Sequence, residues 1–108
     1  MTTDDASTDV MPLPDMDRLI HEPARLMIMA VLYVVESVDF TFLMNQTGLT
    51  WGNLSSHVSK LEEAGYVEVE KTFQGKKPHT MFHLTDAGRE AFRVYRQNMM
   101  QLFGDMPD

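Results

Sequence analysis

Apolar and polar positions along the chain change their period several times, and each change predicts an element. Residues 15–20 predict a short helical turn. From Pro23 to about Glu36, the run ARLMIMAVLYVV is apolar on nearly every side. Such a helix is covered on more than one face, and Pro23 suits its first turn, where the missing N–H costs nothing. Residues 37–39 break the pattern, and Phe40 with Thr41 reads as one short extended step. Residues 42–47 then read as a short helix stopped by Gly48. Thr50 is a good N-cap for a helix over residues 51–64, in which Trp51, Leu54, Val58 and Leu61 recur as the buried face of a helix does. After Gly65 the period falls to two. Tyr and Val alternate with Glu68 and Glu70 over residues 66–73, as in a half-buried strand. Residues 74–78 (QGKKP) read as a turn and residues 79–84 as a second strand. Thr85 and Asp86 open a final helix that runs to about Phe103, with Asp86 favourable near its N-terminus.

The resulting order is helix, helix, helix, strand, strand, helix. Two short helices across a Gly-containing turn, followed by a hairpin, form a winged helix-turn-helix. The expected fold class is α+β, mainly α, with a two-stranded β-hairpin wing and a C-terminal dimerisation helix. That last helix carries Ala91, Phe92, Val94, Tyr95, Met99, Leu102 and Phe103 on more than one stripe, so a second copy is expected to bury the excess. The expected interface comprises Leu26, Ala30, Tyr33, Phe92, Tyr95, Met99, Leu102 and Phe103.

The segments HEPARLMIMAVL, FTFLMNQTGLTWGNLSSHVSKLEEAGYVEVEK and GKKPHTMFHLTDAGREAF resemble, in turn, the opening helix, the helix-turn-helix with its wing, and the wing with the start of the last helix in ArsR- and MarR-like regulators. The resemblance covers about residues 18–100. Its most specific part is the string L-x-x-H-V-x-x-L-E-x-A-G-Y-V from Leu54 to Val67, combined with L-T-D-A-G from Leu84 to Gly88. The resemblance implies a dimeric transcriptional regulator that puts residues 51–64 in the major groove and the wing near the minor groove. Neither the wing nor the recognition helix carries an arginine, where many relatives have one.

With Leu54, Val58 and Leu61 inward, a helical step puts Gly52, Asn53, Ser56, Ser59 and Lys60 outward. Asn pairs well with adenine, and Ser meets a base edge or a phosphate. Lys60 suits a phosphate, and Thr50 with the helix N-terminal amides suits another. Trp51 either stacks on a sugar-phosphate edge or packs against the first helices, and Ser55 completes the candidate face. On the wing, Lys71, Lys76 and Lys77 are candidate phosphate contacts. Glu62 and Glu63 fall at the far end of the recognition helix, clear of DNA. The alternative for these positions is an ordinary solvated face, although such a face normally carries more Glu and Lys and fewer Ser.

Other chemistry finds little support. His79 and His83 lie roughly 13 Å apart along a strand, too far for one ion, and His21 and His57 complete no metal set. Neither a metal nor a cofactor is expected. Met27, Met29, Met44, Met99 and Met100 read as core or interface filling rather than as a ligand pocket, and no small-molecule effector is supported. No phosphate loop, nucleophile elbow or catalytic carboxylate pair is present, so the chain is not read as an enzyme.

Composition enters last because only its distribution matters. The chain has 108 residues, one domain's worth. Its formal net charge of −7 argues at first against nucleic acid. Residues 18–103, however, hold nine acids and nine bases, and a neutral domain can bind DNA if its bases share a face. The excess acid sits in an expected disordered tail over residues 1–14, at Asp15 and Asp17, and in a short acidic end over residues 105–108, leaving residues 15–104 as the domain. The absence of cysteine points to a reducing compartment and a cytoplasmic protein. The acidic start does not read as a signal peptide. The longest apolar stretch, about 10 residues, is too short to span a bilayer. Double-stranded DNA and a second copy of the chain are the expected partners. The rival reading, a winged helix that binds protein and not DNA, draws on the acidic tail and the modest number of bases.

Overall fold

The computed structural model describes residues 16–104 and 106–107. The acidic ends expected at residues 1–14 and 105–108 fall outside these residues, apart from Met106 and Pro107. The chain enters through a turn at residues 18–20, held by the Asp17 carboxylate, which accepts from the amides of Leu19 and Ile20 at 2.9 and 3.2 Å. Helix α1 spans Pro23–Val34, with Pro23 in its first turn and the Glu22 carboxylate capping the Arg25 amide at 2.8 Å. It ends two residues before the expected Glu36, because Val35 is already extended (φ −108°, ψ 124°).

The extended step also comes two residues earlier than expected. Strand β1 is Val38–Asp39, and the Asp39 carboxylate accepts from the Phe42 amide at 2.8 Å, so helix α2 starts at once and runs Phe40–Thr47. Gly48 closes α2 with φ 72°, a left-handed conformation in which a side chain would be strained. Thr50 caps helix α3, Trp51–Glu63, by accepting from the Asn53 amide at 3.2 Å. Strands β2, Val67–Gln74, and β3, Lys77–Leu84, then pair antiparallel along their whole length. The expected five-residue turn is thus a two-residue one, Gly75-Lys76, with Gly75 at φ 68°, as a tight hairpin requires. Because Val38 and Asp39 pair with Phe82 and Met81, the expected two-stranded wing is part of a three-stranded sheet in the order β1-β3-β2. Helix α4, Asp86–Gly104, completes the winged helix-turn-helix.

The core explains why α1 is apolar all round: it packs against α2, α3, α4 and β3. Its Ile28, Met29 and Leu32 are fully buried with Ile20, Leu43, Leu54 and Leu61, and burial of each such side chain stabilises the fold by about 1.5–3 kcal/mol. The two halves of the Leu54–Gly88 pattern meet in space. Thr85 donates its hydroxyl to Gly65 O at 2.5 Å and its amide to Tyr66 O at 3.0 Å, and its Oγ1 accepts from the Gly88 amide at 2.9 Å, capping α4. No helix among the described residues is long and apolar enough to cross a membrane.

Candidate nucleic-acid interface

The buried stripe Leu54, Val58 and Leu61 fixes how α3 faces outward. Thr50, Trp51, Gly52, Asn53, Ser56, Ser59 and Lys60 are all exposed, and Ser55 is half-buried. The exposed middle of this face is small and uncharged, and Lys60 bounds it near the C-terminal end. A second attachment sets the orientation of the helix. Arg25 on α1 donates Nε to Leu19 O at 2.6 Å and Nη1 to His57 Nδ1 at 3.1 Å, and Glu22 lies 3.9 Å from the same ring nitrogen. The Glu22 carboxyl is held below its usual range, first by the Arg25 amide and further by the Arg25 charge. His57 is thus a fastening between α1 and α3. Arg25 was hidden in the sequence among apolar neighbours, and only the helical register shows that it faces α3.

An open groove of about 700 Å³ separates α3 from the hairpin. Trp51, Ser55, Ser59 and Glu62 line it from the helix, and Val69, Lys71, Thr80 and Phe82 from the strands. Glu62 and Glu63 were expected to clear DNA, which the groove does not test. Glu62 lies on the stripe of Ser55 and Ser59, which returns to the same side every three to four residues. Trp51 stands 5.6 Å from the Phe40 ring and remains 65% exposed, so it packs on the start of α2 and is also open to a partner. Lys71, Lys76 and Lys77 are exposed on the hairpin, and Lys71 also lines the groove beside α3.

The expected interface residues divide. Phe92 and Tyr95 lie in the chain's own core, 8% and 5% exposed, where Tyr33 packs on Phe92 at 5.0 Å between ring centres and the Tyr95 hydroxyl meets His21 Nδ1 at 2.7 Å. Leu26, Ala30, Tyr33, Met99 and Leu102 are half-buried, and Phe103 is exposed. Val94, Met100, Phe103 and Met106 remain exposed along and just beyond α4. His79 and His83 have separate acidic neighbours, Asp39 at 3.6 Å and Glu68 at 2.7 Å. Among the described residues no three His, Asp or Glu side chains gather as a metal site.

Known proteins resemble this chain at the level of family, sequence and structure. Residues 24–103 match the family model described as a winged helix DNA-binding domain. An uncharacterized protein of Methanocaldococcus jannaschii is 36% identical over 85 residues, which cover 79% of this chain and 92% of that one. Among solved structures, a transcriptional regulator homologue from Pyrococcus horikoshii is similar with a TM-score of 0.78 at 28% identity, over 83% of this chain and 91% of the other. The transcriptional repressor BigR from Xylella fastidiosa has the same fold, with a TM-score of 0.64 at 24% identity over 80% of each chain.

Proposed function

This chain belongs to the family of winged helix DNA-binding domains, and we propose that it is a sequence-specific regulator of transcription that binds duplex DNA as a homodimer, most simply as a repressor that blocks promoter access. The family and the fold are those of transcriptional regulators, not of enzymes. The observation that carries the reading is the exposed face of α3, in which Gly52, Asn53, Ser56 and Ser59 present small hydrogen-bonding groups between the capped N-terminus at Thr50 and the charge of Lys60. A major groove admits such a helix, and uncharged polar side chains there distinguish base edges. Lys60, Lys71, Lys76 and Lys77 hold phosphates and set the register, and Thr50, Trp51 and Ser55 support the approach at the start of the helix. The domain spans residues 15–104. The homodimer is supported by the exposed apolar side chains of α4, Met100 and Phe103 near its end and Val94 on another side, and its proposed interface also takes in Leu26, Ala30, Tyr33, Met99 and Leu102. A chain without cysteine that acts on DNA belongs in the cytoplasm.

Selection from a random duplex pool tests the proposal. A defined motif with two related half-sites is expected, bound with an affinity that falls steeply with salt. The formal charge of −7 and the exposed Trp51 favour a second reading, a module that binds another protein. That reading expects no salt-sensitive DNA binding at all.

A further inference from the structure

The hairpin has two faces, and its register separates them. Directly paired residues in an antiparallel sheet point to the same side, and successive residues alternate. One face therefore carries the pairs Val67 with Leu84, Val69 with Phe82, Lys71 with Thr80, and Phe73 with Pro78. From root to tip this face passes from buried core, through the groove beside α3, to open solvent. Phe73, at its end, is 71% exposed. Beyond Met81 the hairpin has no β1 partner, so the tip projects as two strands only. Lys71 shares the face of Phe73, and Lys76 and Lys77 form the end of the hairpin beside it. An exposed aromatic ring at the end of the face turned toward α3, with Lys71 on the same face and Lys76 and Lys77 at the turn, is poorly explained as a solubilising turn.

We infer that Phe73 and Pro78 form an apolar wedge that enters the minor groove of duplex DNA next to the major groove occupied by α3, and that it selects sequences by how easily that groove opens. This rests on the reading of the chain as a DNA-binding regulator. The lysines place the tip against phosphates on either side of a groove. Phe is among the side chains that press between base steps and open a minor groove, and pyrimidine–purine steps yield to this most easily, whereas A-tracts are stiff. Neither the wing nor α3 carries an arginine, the side chain that would read a narrow A-tract by charge. The wedge therefore prefers a flexible step where an arginine-tipped wing would prefer a narrow groove.

The experiment uses the full chain and the duplex recovered from the random pool, end-labelled for energy transfer so that affinity and bend are read together. Phe73→Ala is expected to lower affinity about tenfold and reduce the bend, with Phe73→Leu retaining most of both. The thermal midpoint and the slope of affinity against salt stay unchanged, since Phe73 is neither core nor charge. Replacing a pyrimidine–purine step under the wing by A·A weakens the parent and leaves Phe73→Ala indifferent. If Phe73→Ala binds and bends the duplex as the parent does while Lys76→Ala/Lys77→Ala weakens binding, the wing only touches phosphates, and the wedge is overturned while the DNA-binding reading stands. If Phe73→Ala loses binding to phosphatidylserine vesicles but not to duplex, the tip is a membrane contact and the inference is wrong. A parent that binds no duplex in a salt-sensitive way overturns both readings.

Discussion

At Gly88 a single methyl group decides whether two parts of the chain can meet. A Cβ built there would stand 2.0 Å from Tyr66 O, a backbone atom held in place by the Thr85 amide. Gly88→Ala is therefore expected to destabilise the fold by about 1–3 kcal/mol or more, seen as a lower urea midpoint. Gly52→Ala meets nothing within 4 Å and adds helix propensity, so it should leave stability equal or raise it by up to about 1 kcal/mol. The pattern around Gly88 was legible in the sequence, but the reason for it was not, because Tyr66 and Gly88 approach only in the folded chain. Tyr66 carries a second consequence. Its hydroxyl donates to Asp17 Oδ2 at 2.5 Å, and this bond, with burial and the Asp17 charge, pushes the phenol up to about 12. The folded pKa thus lies above the ordinary value of 10. The contribution is complete below about pH 10 and is lost as the pH rises toward 12. Tyr66→Phe should lower stability by about 1 kcal/mol at neutral pH and flatten the alkaline decline measured by urea unfolding. Some decline remains, because burial also raises Tyr95.

Elements with a sustained period were the most legible. Helix α3 and the hairpin emerged from spacing alone, whereas β1 is two residues long and has no period to read. In α4 the apolar excess was visible, but its division between core and surface was not, since Phe92 and Tyr95 are claimed by Tyr33 and His21 from the other end of the chain. This separates two classes of variant. Phe92→Glu or Tyr95→Glu should unfold the protomer, each placing a charge in a buried site. Met100→Glu/Phe103→Glu, at side chains each 60% exposed, should keep the helical circular dichroism and yield a monomer of 12.4 kDa by sedimentation. A parent already monomeric at micromolar concentration would refute the dimer. The candidate DNA-facing elements divide in the same way. Lys76→Ala/Lys77→Ala should weaken binding to specific and random duplexes alike and flatten the log–log salt slope by about 0.9 for each lost phosphate contact. Asn53→Ala or Ser56→Ala should leave the slope nearly unchanged and cost about 1–3 kcal/mol on the preferred site only. Equal behaviour of the two classes on both kinds of duplex would show that α3 is docked wrongly.

On the scale of the whole molecule, charge is divided by region rather than by strength. Residues 18–103 are neutral in sum, with nine acids and nine bases, while residues 1–17 add five acids and no base. Four of the nine bases are Lys60, Lys71, Lys76 and Lys77, the candidate phosphate contacts on α3 and the wing. The acidic stretch joins the described chain at Met16 and Asp17, beside Tyr66 and α4, and Tyr66 follows directly on the turn that ends α3. A polyanion tethered there is expected to repel a second polyanion approaching α3. Removing residues 2–14 takes away Asp4, Asp5 and Asp9 and keeps every core side chain among the described residues. The shortened chain should therefore unfold at the same urea concentration as the parent. It should bind duplex DNA more tightly at low ionic strength, with the gain fading as the Debye length falls to about 8 Å at physiological salt. Replacing the three aspartates by asparagine in the full-length chain should reproduce most of the effect, because the argument concerns charge and not length. Fluorescence anisotropy across a salt series checks both variants. An affinity that stays the same or weakens at low salt on removing the stretch would mean that it does not oppose DNA, and would make it a contributor to binding or a contact for another partner.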